Sequence, residues 1–298
     1  MSPKKLITTT VGSYPAKGLE PQDAIRRAVE DQLAAGIDLL TDGQVRADMI
    51  GIFARHIPGY DSSGPGYRIV GKIESASGGI TVEDYRFAQS VAGTAAEVKG
   101  VLTGPTTMAM ASTVEEGSPY GSNVDPTLIL DISDVLAAEA RALKAAGARV
   151  IQVDEPFFSL EANLDVGFQA LERVTAHIPL SILHVCGDIR PIFDRLLEAP
   201  VNVLDIEGAN LQDLSWADPI FLKKKGKSIS YGCVNTNSDD LEEVEEIRNR
   251  IRAAISQVGA ENIWISPDCG MKLRKREVAR EKLKRMAGAA RSVEQEVC

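Results

Sequence analysis

The sequence contains few cysteines, few aromatic residues and no long apolar run. With 4 Cys among 298 residues, it is far too poor in cysteine for a disulfide-stapled secreted scaffold. No apolar stretch approaches the roughly 18 residues that a transmembrane helix needs, so we expect no membrane partner. At 44% apolar and 25% charged residues, the composition also excludes an intrinsically disordered chain.

The sequence has fewer basic than acidic residues. The 33 basic and 42 acidic residues give a net charge of −9, which argues against a nucleic acid or an anionic membrane surface as the main partner. The start of the chain has no apolar core typical of a secretory signal peptide. We therefore expect a cytoplasmic protein with reduced thiols.

Short β-branched runs alternate with amphipathic stretches along the whole chain. Eight runs end in Gly, Pro, Asp or Asn, at residues 6–11, 37–40, 98–102, 148–153, 180–185, 201–206, 228–232 and 262–265. Helices are predicted at residues 21–35, 131–146, 241–258 and 276–293. Near-continuous apolar strands separated by helices indicate a parallel sheet covered on both faces.

Eight such units predict an α/β fold, a single (β/α)₈ TIM barrel spanning residues 1–298. An open doubly wound sheet is the alternative, but no G-x-G-x-x-G follows the first run. Residues 59–79 do not fit the repeat, because they are rich in Gly, Ser and Pro around an alternating stretch at 67–74. They predict a small antiparallel insertion after the second strand, overhanging the catalytic face.

Four candidate metal ligands follow predicted strands. His184 and Cys186 are two residues apart on one strand, so their side chains share a face. Glu207 ends the next strand, and Cys269 follows the last one. Imidazole and thiolate are preferred zinc donors, and the carboxyl ends of barrel strands meet at one rim. The sequence thus predicts a zinc site, the alternative being four unrelated polar residues.

Two other cysteines need an interpretation. Cys233 also lies near a strand end and competes as a ligand, but no partner spacing recommends it, so we interpret it mainly as a packing residue. Cys298 is the last residue, and we assign it no role.

A zinc ion with two thiolate ligands is already rich in electrons. It is poorly suited to ionising water and well suited to holding a substrate thiolate. This chemistry points to alkyl transfer onto sulfur. An open position would arise if Glu207 left the zinc when the substrate sulfur arrived.

Together, the ordered motifs resemble the C-terminal zinc barrel of the cobalamin-independent methionine synthases. The resemblance runs from residue 8 to about residue 291. Its markers are TVGSYP at 10–15, DGQ at 42–44, LTGPTT at 102–107, IQVDEP at 151–156, HVC at 184–186, DIE at 205–207 and PDCGMK at 267–272. The resemblance implies zinc on the four candidate ligands named above.

The resemblance also implies a homocysteine site formed by Val11, Gly12, Ser13, Gln44 and Asp154. Gly12 and Ser13 would hold the carboxylate, and Asp154, the implied catalytic residue, would bind the ammonium group. Backbone N–H groups and a hydroxyl suit a carboxylate, and an ammonium group needs an acidic partner. The long enzymes carry a Glu at the position of Gln44, which supplies no charge here.

Departures from the long enzymes concern the methyl donor. Those enzymes have an additional N-terminal barrel that helps to hold folate, which this sequence does not contain. They also have a Trp where this sequence has about Ala111, and a His in the loop that corresponds to residues 231–237. Methyl-tetrahydrofolate is a poor donor unless its N5 is protonated, whereas a corrinoid releases its methyl group from cobalt without a proton.

The sequence thus resembles the short core methionine synthases. This resemblance implies zinc-dependent methyl transfer from a methylcobamide, carried by a corrinoid protein, to homocysteine. Three alternatives remain: methyl-tetrahydrofolate as the donor, another thiol such as coenzyme M as the acceptor, and a non-enzymatic scaffold stabilised by zinc.

Overall fold

The computed structural model describes residues 6–160, 162–211 and 214–297. The first five residues, for which we predicted no targeting segment, and Cys298, to which we assigned no role, lie outside the described residues.

A closed parallel barrel forms the centre of the protein. Six neighbouring strands run in chain order: Gly100–Thr103, Val150–Asp154, Leu180–Val185, Val203–Ile206, Ser228–Gly232 and Ile263–Ser266. Glu97–Val98 leads into the first of these and pairs with Leu39–Leu40. Isolated parallel bridges join Thr8 to the last strand and Thr9 to Leu39, so the ring closes. The predicted TIM barrel is confirmed, with the segment at Thr8 and Thr9 as its first strand and Ile263–Ser266 as its eighth.

Helices surround the barrel and cover its strands. The α-helices are Pro21–Ala35, Gly51–Ala54, Val82–Ala92, Pro105–Met110, Pro126–Ala145, Leu164–Thr175, Phe193–Leu196, Gly208–Leu211, Pro219–Lys225, Val244–Val258 and Arg276–Val297. Short 3₁₀ turns occur at Pro156–Ser159, Arg190–Ile192 and Ala260–Asn262. None of the helices in the described ranges is long and apolar enough to cross a membrane.

Helix ends follow the local capping chemistry. The first helix has its predicted bounds, and Gly36 ends it with φ +82°, a left-handed conformation that favours glycine. The predicted start at residue 131 is wrong, because Asp125 caps this helix by accepting a hydrogen bond from the Thr127 N–H. The helix predicted at 241–258 begins only at Val244, and the last helix continues past residue 293 to Val297.

An antiparallel hairpin follows the second barrel strand, as predicted. Tyr60–Asp61 pairs antiparallel with Arg68–Ile69. A third strand, Thr113–Val114, adds to Arg68–Ile69 in parallel, which the sequence did not predict. This small sheet joins the loops after the second and third barrel strands at the carboxyl end of the barrel. The limits 59–79 of the insertion stay a prediction.

The barrel interior changes from apolar to polar along its axis. A buried cluster of Leu39, Val150, Ile182 and Val203 fills the amino end. Because side chains alternate across a strand, residues two and four positions further on face the same interior. Those positions carry polar groups on the fourth, fifth and sixth strands, including Asp154. The fold thus places a polar site at the carboxyl end of the barrel.

Candidate active site and metal centre

Three of the predicted ligands meet at the carboxyl end of the barrel. The ligand atoms of His184, Cys186 and Cys269 all lie within 4.8 Å of one another. His184 Nε2 is 2.9 Å from Cys186 Sγ, which is 3.4 Å from Cys269 Sγ. An imidazole nitrogen and two thiols this close form a donor set that suits a thiophilic cation such as Zn²⁺.

Asp205 orients the histidine. Its Oδ1 lies 2.6 Å from His184 Nδ1, and both side chains are buried. The two residues are register partners on neighbouring strands. With Nδ1–H donating a hydrogen bond to the Asp205 carboxylate, Nε2 faces the thiols and is the nitrogen that would bind a metal ion. Sequence reasoning missed this role, although the neighbouring strands and the carboxylate were its signal.

The short distance between the two thiols shifts their pKa values in opposite directions. The hydrogen bond from Cys186 and the nearby His184 hold the pKa of Cys269 well below its usual range, against the effect of burial. That same hydrogen bond, together with burial, raises the pKa of Cys186. The pair therefore offers one ready thiolate, and a bound cation would stabilise the second thiolate because metal binding displaces protons from cysteine.

Glu207 is not part of the cluster formed by His184, Cys186 and Cys269. Its Oε2 accepts a hydrogen bond of 2.9 Å from Asn210 Nδ2. Its charge also helps to raise the pKa of Asp268 to about 8, after the larger effect of burial. The fourth-ligand role of Glu207 stays a prediction.

A cavity of about 380 Å³ opens above the His184, Cys186 and Cys269 cluster. Its lining residues are Val11, Ser13, Gln44, Ala47, Asp48, Met49, Asp154, Pro156, His184, Cys186, Thr236, Asn237, Cys269, Gly270, Lys272, Leu273 and Arg274. Four of the five residues that the sequence analysis gave to homocysteine therefore face the same space as the candidate metal ligands. The fifth, Gly12, lies beside Gln44, where a Cβ atom would approach Gln44 Oε1 to 2.6 Å.

Asp154 supplies the buried negative charge of the cavity. Burial raises the pKa of this carboxyl to about 6, while the neighbouring His184, Gln152 and Lys99 lower it. Gln152 Nε2 donates a 2.7 Å hydrogen bond to Asp154 Oδ1. At neutral pH the group is ionised, so it can receive a substrate cation.

Gln44 occupies a strained turn at the cavity wall. Its φ of 45° places it in the left-handed region, where it is the one non-glycine residue in the described part of the chain. Asp42 Oδ1 accepts from the Gln44 N–H at 3.0 Å, and Lys272 Nζ donates to the Gln44 carbonyl at 3.1 Å. The buried Gln44 Nε2 has no hydrogen-bond partner, which is typical of a group that awaits a ligand.

Ser13 approaches the last barrel strand closely. The Met271 N–H donates to the Ser13 carbonyl at 2.8 Å, and a Cβ atom on Gly270 would lie 2.1 Å from Ser13 Oγ. Gly270 therefore has to be glycine for the hydroxyl of Ser13 to reach the cavity wall beside Cys269.

Lys272 was missed by the sequence analysis, whereas the interpretation of Cys233 agrees with its position. Lys272 contacts the turn at Gln44 although the two residues are 228 positions apart in the sequence. No local sequence pattern predicts such a contact. Cys233 is fully buried in the hydrophobic core, and burial raises the pKa of its thiol.

Comparisons with known proteins agree on one family. Residues 16–292 match the family model described as the catalytic domain of cobalamin-independent synthase. The chain is 37% identical to a methionine synthase of Methanothermobacter thermautotrophicus, with 96% of this chain and 99% of the relative covered. It is also 37% identical to a methionine synthase of Methanocaldococcus jannaschii, covering 97% and 99% of the two chains.

A solved structure has the same architecture. The B12-independent methionine synthase from Shewanella sp. W3-18-1, in complex with selenomethionine, superposes with a TM-score of 0.85 at 26% identity. The superposition covers 98% of this chain and 99% of the other.

Proposed function

Because this chain belongs to the cobalamin-independent synthase catalytic-domain family and is a methyltransferase of the methionine synthase type, we propose that it methylates homocysteine at a zinc centre with a methylcobamide as donor. The proposal has three parts: the acceptor, the metal and the donor. Each part rests on different residues.

One observation carries the acceptor. A single cavity of about 380 Å³ is lined by the His184, Cys186 and Cys269 cluster and by the ionised Asp154. Homocysteine has a thiol at one end and an ammonium and a carboxylate at the other. The thiol suits the metal cluster, the ammonium suits Asp154, and the carboxylate suits Gly12 and Ser13.

Coenzyme M is a poorer fit as an acceptor. It presents a sulfonate and no ammonium group, so the buried Asp154 carboxylate would face a second anion without compensation. The selenomethionine bound by the Shewanella relative, a selenium analogue of methionine, also supports an amino-acid product.

The metal part of the proposal assigns zinc to His184, Cys186, Cys269 and Glu207. Bound Zn²⁺ would lower the pKa of the homocysteine thiol and keep its sulfur electron-rich. Asp205 fixes the tautomer and the orientation of His184, and Asp154 anchors the amino group. These contacts would hold the bound homocysteine in one orientation and so reduce the entropy cost of methyl transfer.

The donor part rests on residues that a folate reaction would need. Ala111 is exposed at the end of the helix Pro105–Met110 and does not line the cavity. The stretch 231–237 contains no His, and Thr236 and Asn237 are the residues that it contributes to the cavity. These segments therefore lack the Trp and the His that the long enzymes use for folate, and a methylcobamide requires neither.

The bond changes balance without a further reactant. The sulfur–methyl bond forms as the cobalt–carbon bond breaks, and the electron pair of that bond stays on cobalt as Co(I). The thiol proton leaves to solvent. A corrinoid protein is the proposed carrier of the cobamide.

An assay with two donors tests the proposal. Zinc-loaded protein receives homocysteine with either methylcobalamin or methyl-tetrahydrofolate, and methionine is quantified by mass spectrometry. We expect methionine from methylcobalamin, with little from folate. Ready formation of methionine from folate alone would overturn the donor assignment and favour the second candidate, a folate-dependent methyltransferase, which the family description supports. Failure with both donors would favour the scaffold alternative.

A further inference from the structure

Lys99 is a buried cation inside the barrel that the homocysteine site does not use directly. Its side chain is 2% exposed, although lysine almost never lies fully buried without a partner. It separates Glu97–Val98 from Gly100–Thr103 in the third barrel strand. Its Nζ donates to Gln152 Oε1 at 2.6 Å and to Thr9 Oγ1 at 2.9 Å.

The contact with Lys99 determines how the Gln152 amide is turned. An ammonium group only donates, so the oxygen of the amide has to face Lys99. The Gln152 Nε2 group then faces the cavity side, where it donates to Asp154 Oδ1 at 2.7 Å and to the Val11 carbonyl at 2.8 Å. A chain of two hydrogen bonds thus joins Lys99 to the carboxylate of Asp154.

Electrostatics link Lys99 to two buried carboxylates, Asp154 and Asp205. Burial lowers the pKa of Lys99 to about 8, and Asp205 and Asp154 oppose this shift. Asp205 keeps one buried oxygen, Oδ2, without a hydrogen-bond partner. The ammonium group of Lys99 therefore partly compensates the buried negative charge of these two carboxylates.

We propose that Lys99 is a positioning residue for amino-acid recognition: through Gln152 it orients the Asp154 carboxylate towards the substrate ammonium group. Lys99 does not touch the substrate. This inference rests on the proposed function, because it takes homocysteine as the ligand whose ammonium group meets Asp154. It predicts a specific effect on the amino group and none on the thiol.

Two ligands separate these effects. Homocysteine carries the amino group, and 4-mercaptobutanoate has the same thiol and carboxylate without it. Their dissociation constants for zinc-loaded protein are measured by titration calorimetry, without any methyl donor. Wild-type protein is expected to bind homocysteine more tightly than 4-mercaptobutanoate.

The test variants are Lys99→Met, which keeps the length of the side chain, and Gln152→Met, which leaves Lys99 in place and breaks its link to Asp154. The matched control is Lys227→Met. Lys227 is also buried, but it donates to the Ala199 and Val201 carbonyls at the amino end of the barrel. Zinc content and thermal unfolding are measured for every variant.

We expect Lys99→Met and Gln152→Met to weaken homocysteine binding by about 10-fold or more, the size typical of a lost charge-assisted hydrogen bond. Binding of 4-mercaptobutanoate should change by less than about two-fold, and Lys227→Met should change neither constant. In an Asp154→Asn background, Lys99→Met should have no further effect on homocysteine, since both act on one contact.

Equal weakening of both ligands would overturn the inference, because it would indicate a structural role, and so would additive effects of Lys99→Met and Asp154→Asn. If Lys99→Met fails to fold, Gln152→Met decides by the same two criteria. Wild-type protein that shows no preference for homocysteine would refute the proposed function itself, and the inference with it. A wild-type preference that both variants retain would refute the inference alone.

Discussion

The two ends of the barrel differ in how many of their polar groups have hydrogen-bond partners. At the amino end, Asn202 Oδ1 accepts from the N–H and the hydroxyl of Ser181, at 2.8 and 3.1 Å. Asp38 Oδ2 accepts from the N–H and the hydroxyl of Thr8, both at 2.9 Å, and pairs with Arg291. Lys227 donates to two carbonyl groups. These contacts join neighbouring strands and the segments that lead into them.

At the carboxyl end, polar groups are crowded or left without partners. Gln44 Nε2, Asp205 Oδ2 and Asp268 Oδ2 are buried without a hydrogen bond, and the thiols of Cys186 and Cys269 are 3.4 Å apart. Because unsatisfied buried polar groups cost free energy, we expect these groups to contribute less to stability than the paired groups at the amino end. The contrast separates the part of the fold that provides stability from the part that binds and reacts.

The largest expected effect concerns the metal cluster. Cys186→Ser should lower zinc affinity by more than about 100-fold, beyond the loss typical of outer partners of a metal ligand, and should abolish methyl transfer. Zinc content after dialysis against a chelator measures this. The matched control is Cys233→Ser, at the buried cysteine in the hydrophobic core, which should keep its zinc and lose only stability. Equal zinc content in the two variants would contradict the assignment.

The buried carboxyl of Asp154 should make the free energy of unfolding depend on pH. Its pKa is raised by burial to about 6 from 3.8, so between these values the folded protein binds more protons than the unfolded chain. The contribution of Asp154 to wild-type stability should therefore fall as pH rises through this window. Asp154→Asn does not titrate and should be more stable than wild type by up to about 3 kcal/mol at pH 7, and by almost nothing below about pH 4.

Urea unfolding of metal-free wild type and Asp154→Asn at several pH values measures this difference. A stability difference that does not change with pH would show that burial of the ionised Asp154 carboxyl does not destabilise the protein. It would contradict the proposed contrast between the two ends of the barrel.

Asp205 should matter for the metal more than for the fold. Asp205→Asn removes the charged partner of His184 Nδ1, so the imidazole loses its fixed tautomer and zinc affinity should fall by about 10–100-fold. Competition with a chromogenic chelator gives the dissociation constant. An unchanged constant would mean that Asp205 does not orient the ligand.

The smallest effect on zinc and homocysteine binding should come from a substitution at the amino end. Asp38→Ala removes the acceptor of the Thr8 N–H and hydroxyl, which should lower the free energy of unfolding by about 1.5–3 kcal/mol. Its affinities for zinc and homocysteine should equal those of wild type. A loss of homocysteine affinity in this variant would show that the two ends are coupled, in conflict with the comparison.

The sequence predicted what depends on local pattern. All eight strands and the first helix follow from runs of apolar residues and from Gly36, and His184 and Cys186 share a face because of strand alternation. What it missed depends on distant contacts. The cap at Asp125 moved the start of one helix, and the strand Thr113–Val114 pairs with a partner that no local pattern identifies.

Site residues divide in the same way. Cys269 could be placed with the histidine strand because barrel strands end at a common rim. Lys272, Lys99 and Asp205 act through partners on other strands or loops, so their roles follow only from the closed barrel. The register of neighbouring strands is the signal that would have found Asp205.

The most direct test of the central claim is X-ray absorption at the zinc edge of the zinc-loaded protein, before and after addition of homocysteine. The account predicts two sulfur neighbours before addition and three afterwards, as one nitrogen or oxygen neighbour is replaced. An unchanged number of sulfur neighbours at saturating homocysteine would contradict it.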